Sequence, residues 1–527
     1  MSDYNNLTIG AYGSGTTRIE GADHELTKAQ NLQFTTGYPG GLYLDASFYV
    51  PRKVVDWWEI NGAQRIVIRN GQALVYEGKI DVMGSELTES GEGVLVTASG
   101  YWGALLNRRN WRKIWADNRL TEDIWQTHPD TVTTDKCFID RTARIRFVPK
   151  AEAWTNGQLA AVRYFMPTGQ TIKRVTLDYD FQEDVQAWTL RLRDTAGATD
   201  IWSVTASGTG SRDDTLGTPR NSLTLQFVSN AAQTPTSDGA IYGEVSNVMV
   251  YSETGAINLT EIAKDVRARI ADLNSYEGLI GSNTYPLTPF YIDDWQTPVA
   301  ETMMRAALYG DSSNNQWAVG VRDSESATTP NGEPVLFAEQ YPALTDYDYA
   351  IRLDENNLIE SVTLEWDYSK IFNWIIYSYV ENTGRHVWAT PDDDASLTNA
   401  ISVANYGQRD FYFTGSEADS VASYFAAIVF LNKYKDPQFG LNGPIRVKGF
   451  IRGKGGNLIP ASQIKAGTRI KIENYLRDLS GTGLTLLISR TRYDDESETC
   501  EIESGIPNSF EMMMARIIED RPGKYFR

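Results

Sequence analysis

The chain has 527 residues, 41% hydrophobic and 22% charged, which is globular in balance and too long for one core, so roughly three to five domains are expected. A net charge of −19 argues against sequence-specific nucleic-acid binding, which needs a basic face, yet it permits an acidic channel through which nucleic acid slides without sticking. Two cysteines, Cys137 and Cys500, make neither a disulfide framework nor a zinc site.

The N-terminus MSDYNNLTIG lacks the basic and apolar regions of a signal peptide. The longest apolar run, Tyr424 to Leu431, is far too short to cross a bilayer, so no transmembrane segment is expected. Synthesis in a reducing cytosol follows.

In chain order, residues up to about 110 read as antiparallel strands. In Leu42 to Val50, Leu42, Leu44, Ala46, Phe48 and Val50 fall on one face at period two. Arg65 to Arg69 and Gln72 to Glu77 flank Asn70-Gly71, a hairpin signal in which both turn positions favour φ > 0. A small closed or nearly closed barrel is expected here. Residues 101–130, rich in Trp and Arg, suggest short helices.

From about 137 to 253, strands at Val175–Asp180, Ala187–Arg193, Ser222–Val228 and Val245–Tyr251 alternate with loops rich in Gly, Asp and Thr. That rhythm predicts a jelly-roll-like β-sandwich. Next comes a helix capped by Asn258, with Glu261 three residues on and Ile262, Val266, Ile270 and Leu273 on one stripe. A second helix opens at Thr297-Pro298 and stops at Gly310. Strands return from about 346, a long helix runs from Ser416 to about Asn432, and strands resume at Ile445. The expected fold is mainly β with α+β, in four blocks: 1–136, 137–253, 254–345 and 346–527.

One segment recurs. Arg65 to Asn70, Leu74 to Asp81 and Val94 to Gly100 match Arg469 to Asn474, Leu484 to Tyr493 and Cys500 to Gly505 in order, spacing and closing Ser-Gly. Any two three-stranded meanders would look similar; a duplication would mean two related barrels in one chain.

Three further motifs are distinctive: Tyr76-Glu-Gly-Lys-Ile80, Gly100-Tyr-Trp-Gly-Ala-Leu-Leu106, and Ile459-Pro-Ala-Ser-Gln-Ile-Lys-Ala-Gly-Thr-Arg-Ile-Lys-Ile472. With these the chain resembles the minor tail and tail-hub proteins of long-tailed bacteriophages. The resemblance covers about 30–110 and 254–505. It leaves the 137–253 sandwich outside, and no peptidase or fibre extension is expected after residue 505, a departure from the family pattern. It implies two related small β-barrel hub domains per chain, an α+β domain and an inserted sandwich. It also implies a homotrimer whose six barrels match the sixfold tail tube. A virion location at the tail tip, after synthesis in the host cytoplasm, follows. The implied partners are distal tail or tail-tube ring proteins, the tape-measure protein and a central fibre, and the implied role is capping the tube and passing DNA at infection.

No enzyme emerges from a search for chemistry. His24-Glu-Leu-Thr-Lys28 starts like a zincin helix but has Lys28 where the second histidine must stand, and no Walker A loop is present. Ser462-Gln-Ile-Lys465 matches Ser-x-x-Lys by spacing alone. The acid runs Asp293-Asp294 and Asp392 to Asp394 read as solvated turns. No cofactor, catalytic or metal residue is assigned.

The sandwich is the one candidate ligand site. Trp154, Tyr164, Trp202 and Tyr242 could stack on sugar rings of a host surface glycan. Asp180, Asp213, Asp214, Asn230 and Asp238 could add hydrogen bonds or hold Ca²⁺. Trp188 alternates with Leu190 and Leu192 and is expected in the core. An alternative role for the chain is therefore a glycan- or partner-binding tail protein with the sandwich as its working part.

Overall fold

Period-two alternation of apolar residues builds most of this molecule. The computed structural model describes residues 6–13, 29–52, 64–88, 91–132, 136–142, 144–183, 187–194, 199–287, 290–293, 295–313, 315–329, 332–352, 364–380, 386–414, 420–441, 443–473 and 484–504. The fold is mainly β with a smaller α+β part, and three hydrophobic cores divide it.

The largest sheet has thirteen strands and curls into a half-barrel. In spatial order its main path runs Leu7–Tyr12, Arg65–Asn70, Ala73–Thr88, Gly91–Ser99, Tyr43–Pro51, Gln30–Gly37, Leu484–Asp494, Arg469–Glu473, Tyr349–Arg352, Phe450–Gly453 and Leu458–Pro460. Thr499–Ser504 pairs with Leu484–Asp494, and Ile445–Lys448 pairs with Thr499–Ser504.

The two recurrent segments take the same architecture within this sheet. In the first unit, Arg65–Asn70 pairs with the near half of Ala73–Thr88, whose far half pairs with Gly91–Ser99; Tyr43–Pro51 closes the far side. In the second, Arg469–Glu473 pairs with residues 484–487, residues 488–494 pair with Thr499–Ser504, and Ile445–Lys448 closes the far side. Both long strands carry a bulge at the handover. Arg65 faces Lys79 and the register slips between Ile80 and Val82; Arg469 faces Leu487 and it slips between Ile488 and Arg490. A bulge bends a strand and sharpens its twist, which lets one long strand serve two neighbours.

The units are joined edge to edge. Gln30–Gly37 pairs with Tyr43–Pro51 of the first and with Leu484–Asp494 of the second. Thr36 and Thr491 hydroxyls meet at 2.6 Å, and the Phe34 and Tyr493 rings lie 5.1 Å apart, all four residues being buried. One core serves both halves.

The Tyr-Glu-Gly motif has a physical reason. The buried Tyr76 hydroxyl donates to the Ala98 carbonyl at 3.1 Å. Glu77, also buried, accepts from Arg65 (2.8 Å), the Tyr101 hydroxyl (3.0 Å), and the backbone N–H (2.9 Å) and hydroxyl (3.0 Å) of Ser324. Gly78 lies so close to the Ser99 backbone that a Cβ would stand 2.6 Å from its carbonyl oxygen.

The hairpin turn differs from the Asn-Gly expectation. Asn70 pairs with Ala73, so the turn is Gly71-Gln72 and Gly71 alone takes a positive φ, of 60°. Asn70 is used elsewhere: its amide donates to Ser462 Oγ at 2.7 Å, tying the first unit to the second.

Two sheets make the sandwich. One has seven strands: Cys137–Asp140, Ile145–Pro149, Tyr242–Tyr251, Ile172–Gln182 and Gly208–Arg220, with Lys113–Asp117 and Phe290–Ile292 added beyond Tyr242–Tyr251. The other runs Asp200–Val204, Trp188–Asp194, Ser222–Ser229, Leu159–Phe165 and Trp125–Thr127. Residues 101–130 are thus mostly not helical. A π-helix at Trp102–Asn107 buries Trp102, Leu105 and Leu106, after which two strands enter the sandwich sheets. The Trp-rich pattern reflects burial on both faces of a strand; every residue of Lys113–Asp117 is buried.

The α+β core holds Leu259–Arg269 and Val299–Leu308. Asn258 caps the first helix by accepting from Glu261 N–H at 3.0 Å, and Ile262, Val266, Ile270 and Leu273 are all buried. Pro298 rather than Thr297 is the cap of the second helix. Ala400–Tyr406, capped by Asn399, is a helix that the sequence pattern missed. The long helix spans Ser420–Tyr434 and buries Ala427, Phe430, Leu431 and Tyr434. Its expected start at Ser416 and the tail after residue 504 lie outside the described residues.

Gly100 ends the first unit where the chain crosses Tyr43, and a Cβ there would overlap the Tyr43 carbonyl oxygen. Gly103, in the adjacent π-helix, faces open space. Gly100→Ala should therefore lower the thermal midpoint of the purified chain by several degrees, whereas Gly103→Ala should hold or raise it, as followed by differential scanning calorimetry.

Candidate binding site

The candidate aromatics fall in different places once the sandwich closes. Strand alternation puts Trp188, Leu190, Leu192, Leu223, Leu225 and Phe227 on the inward face of the five-stranded sheet. Trp154 joins them: it is 1% exposed and meets Trp188 edge-on with ring centroids 5.0 Å apart. Trp188 in turn stacks on Phe227 at 4.9 Å. Tyr164 is equally buried, beside Trp125, and its hydroxyl donates to Asp117 at 3.0 Å. Trp202 is 6% exposed and packs against Tyr179 at 5.0 Å.

These placements correct the expectation of sugar-stacking platforms at Trp154, Tyr164 and Trp202. A sugar ring needs an open aromatic face, and the core has covered these. The physical reason is volume: two sheets about 10 Å apart must be filled, and aromatics fill that gap with the fewest residues.

Tyr242 alone of the four stays partly open. Its hydroxyl donates to Asp180 at 2.9 Å, and the Arg146 guanidinium lies 4.2 Å from its ring centre. The hydrogen bond to Asp180 raises the phenol above its ordinary range, with burial adding to the effect. Both the hydroxyl and one ring face are therefore engaged.

The polar candidates are likewise occupied, and Asp180, Asp213 and Asp214 lie in strands rather than in loops. Asp213 takes two bonds from Arg174, at 2.7 and 2.6 Å, which hold its carboxyl below the usual range. Asp214 pairs with Arg212 at 3.1 Å, Asn230 donates to Thr189 at 2.8 Å, and Asp238 accepts from Ala151 N–H at 2.6 Å. Among the described residues no cluster of three or more His, Cys, Asp or Glu converges as a metal site.

The other candidates resolve into structural contacts. Ser462 is buried in a short turn with its hydroxyl bound by Asn70. Lys465 donates to the Tyr43 hydroxyl at 3.1 Å, and burial lowers its pKa. Asp293 is not a solvated turn: it receives Arg112 at 2.8 and 2.5 Å and is also paired with Arg119. Asp393 and Asp394 do close turns, accepting from the Thr390 and Ser396 hydroxyls at 2.9 and 2.6 Å. His128 bonds the Asp130 N–H at 3.1 Å and touches Arg163. His24 lies outside the described residues. Both Cys137 and Cys500 are buried free thiols.

A joint missed in the sequence links the sandwich to the α+β part. Asp117, 2% exposed, accepts from Tyr164 and from Arg119 at 2.9 and 3.0 Å, and Arg119 spans to Asp293 while lying 4.1 Å over the Tyr291 ring. Only the Asp-x-Arg spacing hinted at it.

No family model matches the chain, and no curated protein matches it. Among solved structures, it is similar to a tail protein from Neisseria meningitidis MC58, with 10% identity over 96% of this chain and 98% of that one and a TM-score of 0.43. A 43 kDa tail protein of prophage MuSo2 from Shewanella oneidensis is similar at 11% identity, with the same coverage and a TM-score of 0.42. A family 29 carbohydrate-binding module, CBM29-2, aligns with 28% of this chain and 94% of its own at 10% identity and a TM-score of 0.18. None of these reaches a TM-score of 0.5.

If the aromatics are core, Trp154→Ala should destabilise the sandwich by about 3–5 kcal/mol, and Tyr242→Phe by no more than about 1. Urea titration followed by tryptophan fluorescence separates the two.

Proposed function

We propose that this chain is a structural subunit of a long-tailed bacteriophage tail, assembling as a homotrimeric hub at the tail tip without a catalytic step. The observation that carries the reading is the pair of sheet units with the same strand order, the same handover and the same bulge, joined edge to edge. Three such chains in a ring would offer six similar surfaces, which is what a threefold assembly needs to meet a sixfold tube.

A surface for that association is available on the first unit. The far half of Ala73–Thr88 pairs with Gly91–Ser99 on one side, and no strand among the described residues pairs with its other side. Val82 is 59% exposed and Leu87 84%. Exposed apolar side chains on one strand suit a contact between copies. A net charge of −19 would weaken adhesion of DNA passing through such a ring. The ring would meet tail-tube or distal tail proteins on one side and a tape-measure protein or central fibre on the other.

Light scattering on the purified chain should give three times the 59.0 kDa chain mass. Leu87→Glu should shift the population to monomer while leaving the far-UV spectrum intact. A chain that is monomeric at all concentrations and missing from purified virions would remove this reading.

A further inference from the structure

The outer face of the five-stranded sandwich sheet has a composition unlike the rest of this acidic molecule. Residues that alternate with the core-facing Leu190, Leu192, Val162 and Tyr164 point away from the core, and three of them are arginines. Across three adjacent strands Arg193 faces Thr224, and Thr224 faces Arg163. The next row on the same face is Arg191, Gln226 and Ala161. With strands about 4.8 Å apart, Arg163 and Arg193 start roughly 10 Å from each other across the Thr224 strand.

The face is deeply set. The side chains of Arg191 and Arg193 are only 22% and 19% exposed, while Thr224 and Ala161 beneath them are buried. Asp200 pairs with Arg193 at 2.8 Å and reaches Arg191 only at 3.9 Å; Asp130, beside His128, is largely in solvent. Arg191 spends its Nε on the neutral Gln226 amide oxygen at 2.9 Å, and Arg163 touches His128 and lies 5.2 Å from the Phe165 ring centre. Burial and the neighbouring Arg193 lower the Arg191 pKa, and burial with Arg163 lowers that of His128.

A second observation points to a missing partner. The Thr224 hydroxyl is buried between Arg193 and Arg163 and has no hydrogen-bond partner, and Arg163 Nε is also buried without one. An unpaired buried hydroxyl costs free energy that a ligand hydroxyl could recover.

We propose that this face binds an anionic polysaccharide, with Arg163, Arg191 and Arg193 pairing its carboxylate or phosphate groups and Thr224 and Gln226 bonding its hydroxyls. Guanidinium forks match such anions bidentately, and partial burial strengthens each pair relative to open water. The overall negative charge does not prevent it, because at physiological salt charges beyond about 8 Å are largely screened and the local cluster decides. The exposed Phe165 at the end of the face offers an apolar edge for a sugar ring and favours a glycan over a bare polyanion. This proposal is independent of the hub reading, since oligomeric state and binding are read separately.

The test is isothermal titration of the full chain with polygalacturonate, a poly(glycerol phosphate) teichoic acid, neutral dextran and a single-stranded DNA 20-mer. Binding is expected for one or both anionic glycans, weakening as salt rises. Arg191→Gln should weaken it about tenfold and Asp200→Asn should tighten it severalfold. Arg212→Gln, on the other sandwich sheet, should leave it unchanged. Opposite signs for the first two variants separate binding from a folding defect, and thermal midpoints are recorded for each. Which anionic glycan binds tells carboxylate from phosphate recognition. Binding of neither, equal affinity for dextran, DNA binding with the same variant pattern, or indifference to both Arg191→Gln and Asp200→Asn would overturn the proposal.

Discussion

Everything in the large sheet depends on one strand, Gln30–Gly37, that pairs with both recurrent units. Its partner in the second unit is some 455 residues away, and Thr36 and Thr491 make their hydroxyl contact there inside the shared core. The Ala466 N–H also donates to the Thr36 hydroxyl at 2.9 Å, so one threonine of the seam strand holds two segments of the second unit. Because that seam is fixed, the sandwich and the α+β part must leave and re-enter the sheet at defined places. The chain leaves the large sheet after Ser99 and returns to it at Tyr349, and the parallel contact of Gly40–Gly41 with Trp317–Arg322 docks the α+β part beside it.

Two boundaries between blocks also carry a buried carboxylate met by several donors. Glu77 gathers Arg65 and Tyr101 with Ser324 of the α+β part. Asp117 gathers Tyr164 of the sandwich and Arg119, which continues to Asp293. Such nodes add little net stability over apolar packing, but a displaced block would leave a charge buried and unpaired, so they fix relative position.

The sequence disclosed the elements whose signals are local. The 258–273 helix, the alternating sandwich strands and the repeat could all be read, since caps and periodicity depend on neighbours in the chain. Asn70 misled because its amide is used on Ser462, nearly four hundred residues on, rather than in the turn. The 101–130 segment misled because a strand buried on both faces loses its alternation, as Lys113–Asp117 does. Trp154, Tyr164 and Trp202 lie deeper than platforms can, because depth at these positions depends on how the two sheets close, whereas at Trp188 strand alternation already signals the core. The arginine face was missed for the opposite reason. Arg163, Arg191 and Arg193 come from two strands separated in sequence and become one surface only through Ser222–Ser229 between them.

The seam has a consequence for how the chain is made. A ribosome extends a chain at about 5–20 residues per second, so Gln30–Gly37 emerges on the order of 20–90 s before the strand it must meet. During that interval the first unit can fold against Tyr43–Pro51, but its other edge stands open with half of its core uncovered. Long-range pairing of this kind is slow, and an open edge is the usual route to wrong partners. The polar faces of Thr35 and Thr36 on that edge keep it from being a uniformly apolar strip while the chain is finished.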